Sequence, residues 1–412
     1  MEHASRARWV DGFDHRAWLA NQLALQLRFG RRFPHPAGGA AYLDDAGAPD
    51  LGRPVHTWIT ARMAHVYSLG HLAGLPGCAP LAARAVAGLR GPLRDAEHGG
   101  WYAALGPGAQ RDGAKAAYAH AFVVFSAASA AVAEIPGAAA LLDEALDVLD
   151  ARFWEDGPGL LLDSTSEDWS QVSGYRGVNA NMHAVEALLN AADTTGDRTW
   201  RDRAARITAT VLDWAAGNGW RIPEHFDADW QPMLGHHRDQ PDHPFEPYGA
   251  TVGHGLEWSR LALHVRAALG DQAPARLLEG AVALFDRAVA DGWAADGADG
   301  FVYTTDWDGT PVVHQRMHWV LAEAISAAAA LGSVSGELGY EDWYRRWWDY
   351  ADSYLVRADG SWQHELDRAN QPADTVWPGR PDLYHSVHAV LLQRLPLAPS
   401  AAVALAAGLL RV

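Results

Sequence analysis

The sequence predicts an all-α protein, an (α/α)6 barrel with short β-hairpins in the loops at the active-site end, and three observations lead there. Polar-bearing segments centred on Arg62, His120, His183, His254, His318 and His385 recur at intervals of 58, 63, 71, 64 and 67 residues. Such a period marks copies of one supersecondary unit. Two kinds of helical segment alternate along the chain, and no period of two persists long enough for a large sheet.

One set of segments carries a charged stripe and is expected to form outer helices: 14–33, 80–95, 138–153, 199–218, 273–292 and 339–355. The other set is apolar nearly all round: 57–75, 114–135, 179–192, 250–269, 312–331 and 382–395. A helix apolar on every side is buried, whereas a striped one faces solvent, so the second set forms the inner ring. Between each outer helix from the second onward and the next inner one lies a short aromatic and acidic segment, for example 99–102, 225–227, 301–309 and 362–367. Asp308-Gly309 is a favourable hairpin turn pair. These segments enter the inner helices at their N-termini, so they should gather at one end of the barrel beside the recurrent polar groups. Loops held on a rigid scaffold are where function tends to sit.

At 412 residues the length alone favours two or three domains. A closed ring of units shares one core, however, and the expectation is a single domain over 1–412. Lys and Arg total 33 against 50 Asp and Glu, a net charge of −17 with the charges scattered. That balance argues against nucleic acid and anionic membranes as partners. Cys78 is the one cysteine, which excludes an internal disulfide and suits a reducing compartment. The opening stretch 1–9 lacks the apolar run of a signal peptide, and the longest apolar run, 401–410, is too short for a bilayer. A cytoplasmic location is the expectation. Lys115 is the one lysine, and no glycine-rich phosphate loop is present. Lys115 is expected in the first turn of a helix, solvated.

The chemistry rests on histidine, the side chain suited to exchanging protons near neutral pH. His254 precedes Glu257, and His183 precedes Glu186, by three residues, which puts each pair on one helical face. A carboxylate so placed holds a tautomer and raises basicity. His385 is followed by His388 instead. Several imidazoles facing one cavity, with Arg62 to stabilise an oxyanion, can move a proton between adjacent carbons through an enediol. Taken singly, a histidine among 20 is most simply a structural residue; His65, His71, His120 and His388 are read so. Arg62 could pair with a buried acid, and the 19 tryptophans could all be core. The matching phase within otherwise apolar helices favours function, because polar groups are costly there. A catalytic metal is the next competitor, but there is no H-E-x-x-H, cysteine cluster or dense carboxylate set. An inverting glycoside hydrolase is another, with Glu257, Glu323, Glu365 and Asp367 available as its acids. That reading leaves the histidines idle.

Four strings, Trp58-Ile59-Thr60-Ala61-Arg62-Met63, Gly177 through Ala187, Gly253-His254-Gly255-Leu256-Glu257-Trp258 and Asp382-Leu383-Tyr384-His385, resemble the N-acylglucosamine 2-epimerase superfamily. The likeness is to its aldose–ketose isomerase branch, and extends through Gly297-Ala298-Asp299-Gly300 to Pro396-Leu397-Ala398-Pro399. The resemblance implies the (α/α)6 barrel and isomerisation through a cis-enediol without metal or other cofactor. It implies proton transfer at C2 by His385, ring opening and complementary acid–base steps by His254, and relay or orientation by Glu257. It gives Arg62 the C1 and C2 oxygens, and His183 a hydroxyl or a part in ring opening. Asn179, Tyr118, Trp319, Trp377 and Glu323 are expected to bind the sugar. Members acting on sulfonated sugars carry sulfonate-contacting glutamines where His364 and Pro381 stand here, and a bound anion needs such donors. An unmodified 6-hydroxyl is therefore expected, hence interconversion of D-mannose and D-fructose, and of lyxose with xylulose. A mannose–glucose 2-epimerase, a sulfosugar isomerase, a hydrolase and a non-catalytic sugar-binding protein are the alternatives. The partner expected is a free monosaccharide.

Overall fold

The computed structural model describes residues 8–411. The opening segment, read above for the lack of a signal peptide, falls largely outside the described residues. Twelve helices form the frame: α1 (Phe13–Phe29), α2 (Thr57–Leu72), α3 (Cys78–Arg90), α4 (Ala117–Val132), α5 (Ala138–Arg152), α6 (Val178–Thr195), α7 (Arg198–Gly217), α8 (Val252–Leu269), α9 (Arg276–Gly292), α10 (His318–Ser335), α11 (Leu338–Tyr354) and α12 (Tyr384–Leu391). A short α13 (Ala401–Ala406) lies across α2, α4 and α6.

The even-numbered helices pack in succession, and α12 returns to α2, so the inner ring closes. The odd-numbered helices wrap it, with α1 seated on α12 and joining the two ends of the chain. This is the (α/α)6 barrel. Composition explains which helix goes where. In α10 the residues from Val320 to Gly332 are all buried, and alanines at 322, 324 and 327–330 let neighbouring helices approach closely. In α9, by contrast, Leu277, Gly280, Ala281, Leu284, Phe285 and Ala288 form one buried stripe at helical spacing.

The hairpins perform a second task. Two residues ahead of an inner helix pair antiparallel with a strand from the next unit, as in His56 with Ala104, Lys115 with Thr165, Gly177 with His225, Thr251 with Thr304 and Met317 with Glu365. The first N–H of the helix then donates to the carbonyl just ahead of that strand. The pairs are Thr57 to Ala103, Ala117 to Asp163, Val178 to Glu224, Val252 to Tyr303 and His318 to His364, at 2.8–3.1 Å. An unsatisfied helical N–H buried at that point would cost roughly 1–3 kcal/mol. The neighbour's backbone thus replaces a side-chain cap and fixes each helix start against the next unit.

Two boundaries differ from expectation. The helix predicted over 312–331 begins at His318, because Pro311–Val313 is a strand paired to Thr304–Thr305; proline and two valines suit an edge strand. Lys115 is not in a solvated first helical turn. It is fully buried in a strand, with Nζ donating to Asp95 Oδ2 at 2.7 Å and lying 4.8 Å from the Tyr102 ring. The pair ties the first two units together at their hairpins.

Candidate active site

The mouth of the barrel opens into a cavity lined by inner-helix side chains and the loops above them. It is built from two layers of inner-helix side chains. The second residues of the helices are Trp58, Tyr118, Asn179, Gly253, Trp319 and His385, and the residues four later in the first five are Arg62, Phe122, His183, Glu257 and Glu323. Spacing of four keeps both layers on one inward face. The six polar centres therefore do not share one register. Arg62 and His183 lie a turn deeper than His385, while His254 sits one position beyond Gly253. A Cβ at Gly253 would strike the Trp319 ring, so the missing side chain lets that indole lie beside His254.

Arg62, Tyr118, Asn179, His183, His254, Glu257, Trp319, Trp377 and His385 all line the cavity. His318 lines it too, whereas His120 does not: its Nδ1 donates to the Ala116 carbonyl and its Nε2 accepts the Trp101 N–H. His65 and His388 bond to one another at 3.0 Å in a deeper layer. Glu323, expected to contact sugar, lies behind the wall. Its Oε1 accepts from His385 Nδ1 at 3.0 Å and its Oε2 from Arg260 Nε at 2.8 Å. Trp377 comes from a loop held by Glu365, whose carboxylate accepts the Val376 and Trp377 N–H groups at 2.8 and 2.9 Å. Those bonds use up Glu365, one of the acids considered for hydrolysis.

Each of the two mouth histidines is oriented by a carboxylate. His385 is held by Glu323, and His254 Nδ1 donates to Glu224 Oε2 at 3.0 Å. In both, Nε2 is left as the nitrogen free for chemistry. The expected partnership of His254 with Glu257 is replaced by Glu224, because the i+3 carboxylate points deeper into the ring. Glu224 was missed from the sequence. Its signal is the repeat itself, since it stands just ahead of a hairpin strand, where the other units place Tyr303 and His364, both cavity residues. The Trp319 ring lies between the two imidazoles, 5.3 Å from His254 and 5.6 Å from His385.

Below them the charges are concentrated. Arg62 donates to Asp382 Oδ2 at 3.1 Å and to the Tyr118 hydroxyl at 2.9 Å. Its guanidinium also lies over the Trp58, Phe122 and Tyr384 rings at 4.5–4.8 Å. Arg260 joins three buried carboxylates: Glu323, Glu186 at 3.0 Å and Glu257 at 3.5 Å. Burial by itself raises a carboxyl, yet Arg260 holds Glu186 well below the usual range. Glu257 goes the other way: burial, then the nearby Glu323 and Glu186, push it well above. Burial and the Arg62 charge keep His385 well below the ordinary histidine value, and burial lowers His183 to about 4. Both are neutral imidazoles.

His183 Nδ1 faces the Glu186 and Glu257 carboxyls at 3.6 and 3.9 Å, while Asn179 Oδ1 and both Glu257 oxygens are buried in the wall with no hydrogen-bond partner. Buried polar groups are normally satisfied, so these are set for the hydroxyls of a ligand. His183, Glu186 and Glu257, and likewise Glu257, Glu323 and His385, each bring three ligand atoms within 4.8 Å of one another. Either trio could in principle hold a metal, but Arg260 already pairs with Glu186 of the first and Glu323 of the second.

A closed (α/α)6 barrel whose cavity holds carboxylate-oriented imidazoles above a buried arginine defines a class, the barrels equipped for acid–base chemistry. The family model for N-acylglucosamine 2-epimerase (GlcNAc 2-epimerase) matches residues 38–389, and the chain belongs to that family. It is 52% identical over 402 residues to a D-mannose isomerase of Thermobifida fusca, covering 97% of this chain and 98% of that one. It is 46% identical over 406 residues to a D-mannose isomerase of Pseudomonas cannabina pv. alisalensis, covering 97% of each. A crystal structure of a D-mannose isomerase superposes with a TM-score of 0.86 at 27% identity, covering 92% of this chain and 97% of that one. Among the described residues no helix is long and apolar enough to cross a membrane.

Proposed function

We propose that the chain, acting as one domain, is an aldose–ketose isomerase that interconverts D-mannose and D-fructose, and D-lyxose with D-xylulose. The relatives named D-mannose isomerase, at 52% and 46% identity over nearly the whole chain, support the substrate. The observation that carries the mechanism is the pair of mouth histidines, each held through Nδ1 by its own carboxylate with Nε2 free.

The steps follow from those groups. Glu257, whose carboxyl burial pushes above the usual range, and His254 open the pyranose ring: a proton goes to the ring oxygen and another leaves the C1 hydroxyl, giving the open-chain aldehyde. His385 Nε2 removes the C2 proton while O1 gains one from His254, forming the cis-enediol. The imidazolium of His385 is stabilised by Glu323. It returns its proton to C1 as the O2 proton passes to His254, which yields the ketose. Arg62 faces the O1 and O2 charge as it develops, and His183 and Asn179 hold hydroxyls. Each general acid–base contribution is worth roughly 10²–10⁴-fold. Arg62 supplies the electrostatic part that a metal would otherwise provide. Tyr118, Trp319 and Trp377 line the sugar pocket.

The protein, dialysed against chelator, should convert D-mannose to D-fructose, followed by NMR. Glucose as the main product would make it a 2-epimerase, and loss of turnover restored by a divalent ion would overturn the metal-free step.

A further inference from the structure

The connection from α7 to α8 carries an unusual run, His236-His237 and then His243, Pro244, Phe245 and Glu246. His236 Nε2 lies 2.7 Å from Glu246 Oε2, and His237 Nδ1 lies 3.8 Å from the same oxygen. One ligand atom from each of the three residues falls within 4.8 Å of the others. The His236 and His237 rings are 4.0 Å apart, and His243 is 4.5 Å from His237. His243 Nδ1 accepts the Glu246 N–H at 3.0 Å, which steadies the carboxylate from behind.

We propose that His236, His237 and Glu246 form a binding site for a divalent transition ion of the zinc class, separate from the catalytic cavity. A tetrahedral zinc with ligands at about 2.0–2.2 Å spaces its ligand atoms by roughly 3.3–3.5 Å. The two contacts to Glu246, at 2.7 and 3.8 Å, bracket that spacing. Ligation trades two present bonds for the ion, the His236–Glu246 pair and the His237 Nδ1 bond to the Glu246 carbonyl. All three residues are half-buried, which gives an ion access, and a solvent molecule can complete the fourth position. Two imidazoles and one carboxylate favour zinc over calcium or magnesium, which prefer all-oxygen sites.

The position gives the site a consequence. Pro244, Phe245 and Pro247 surround Glu246 in sequence and line the cavity. Phe245 meets the edges of Trp58 and Trp377 at 6.2 and 5.1 Å. Pro247 is held in turn, as its carbonyl accepts from His225 Nε2 at 2.9 Å and His225 Nδ1 accepts from Tyr175. An ion bridging 236–237 to 246 staples the loop that roofs the cavity. The inference rests on the loop geometry and not on the isomerase reading.

The full chain, stripped of metal and desalted, is titrated with zinc chloride against a chromogenic chelator, beside Glu246→Gln and a His236→Ala/His237→Ala variant. One zinc per chain, at least tenfold weaker in both variants, is expected, with slower amide exchange over 234–249 in the wild type. Absence of stoichiometric binding, or equal binding in the variants, overturns the proposal. Should the double variant fail to fold, Glu246→Gln carries the comparison, because it alters one donor at constant size.

Discussion

His385 and His254 show how burial and a single hydrogen bond together make a base. Burial keeps His385 neutral by disfavouring its charged form, and Glu323 then lowers the cost of charging it during turnover. Glu224 orients His254 in the same way, through Nδ1. Glu224→Gln keeps the shape but can present an amide N–H to Nδ1, which favours the wrong tautomer. It should lower kcat on the order of 10²-fold or more with little change in thermal stability, checked by initial rates and circular dichroism. An unchanged kcat would remove Glu224 from the mechanism. Of this arrangement, the histidines and Arg62 were legible in the sequence because polar groups are costly inside apolar helices. Glu224 was not, because it lies in a loop and meets His254 across units rather than along one helix. Lys115 was misread for a related reason: a single cation beside alanines reads as exposed, and its partner Asp95 lies 20 residues away.

At the scale of elements, the alternation of all-apolar and striped segments was enough to separate the inner from the outer helices, since each pattern has one stable environment. The starts of the inner helices were less visible. Ala117 and His318 begin helices whose first N–H is satisfied by a strand of the following unit, not by a capping side chain. With no capping signal to stop it, the apolar pattern runs the helix back into the strand, as it did for 312–317. The same cross-unit bonds set the depth at which the mouth residues of the first five inner helices enter the cavity, whereas α12 starts on a local cap, the Tyr384 N–H donating to Asp382 Oδ1 at 2.9 Å. The two-layer register, with Trp58, Tyr118, Asn179 and Trp319 above Arg62, His183, Glu257 and Glu323, is a property of these helix starts. Sequence spacing alone placed Arg62 and His385 at equivalent points, whereas the helix starts at Thr57 and Tyr384 set them one turn apart.

For the whole molecule, closure of the ring buries many histidines in neutral form. Burial lowers His65 and His120 to about 3, and His183, His264 and His364 to about 4. In the unfolded chain they titrate near 6.5. As pH falls from 6.5 toward 4 the unfolded chain takes up protons that the folded one refuses, so stability is full above 6.5 and lost below it. Each such group contributes a slope of up to about 1.4 kcal/mol per pH unit in that window. Tm should therefore drop steadily between pH 6.5 and 4.5 in a calorimetric series, and a flat or rising Tm there would contradict the assignment. Packing of successive units brings Glu323 to His385, and closure brings Arg62 of the first unit to Asp382 of the last, so the site exists only in the assembled ring. The most direct test of the account is the conversion of D-mannose in deuterated water, with the wild type beside His385→Asn, followed by NMR at C1 of fructose. The account predicts fructose carrying partial deuterium at C1 from the wild type, and no isomerisation from a folded His385→Asn protein. Full activity in that variant would contradict it.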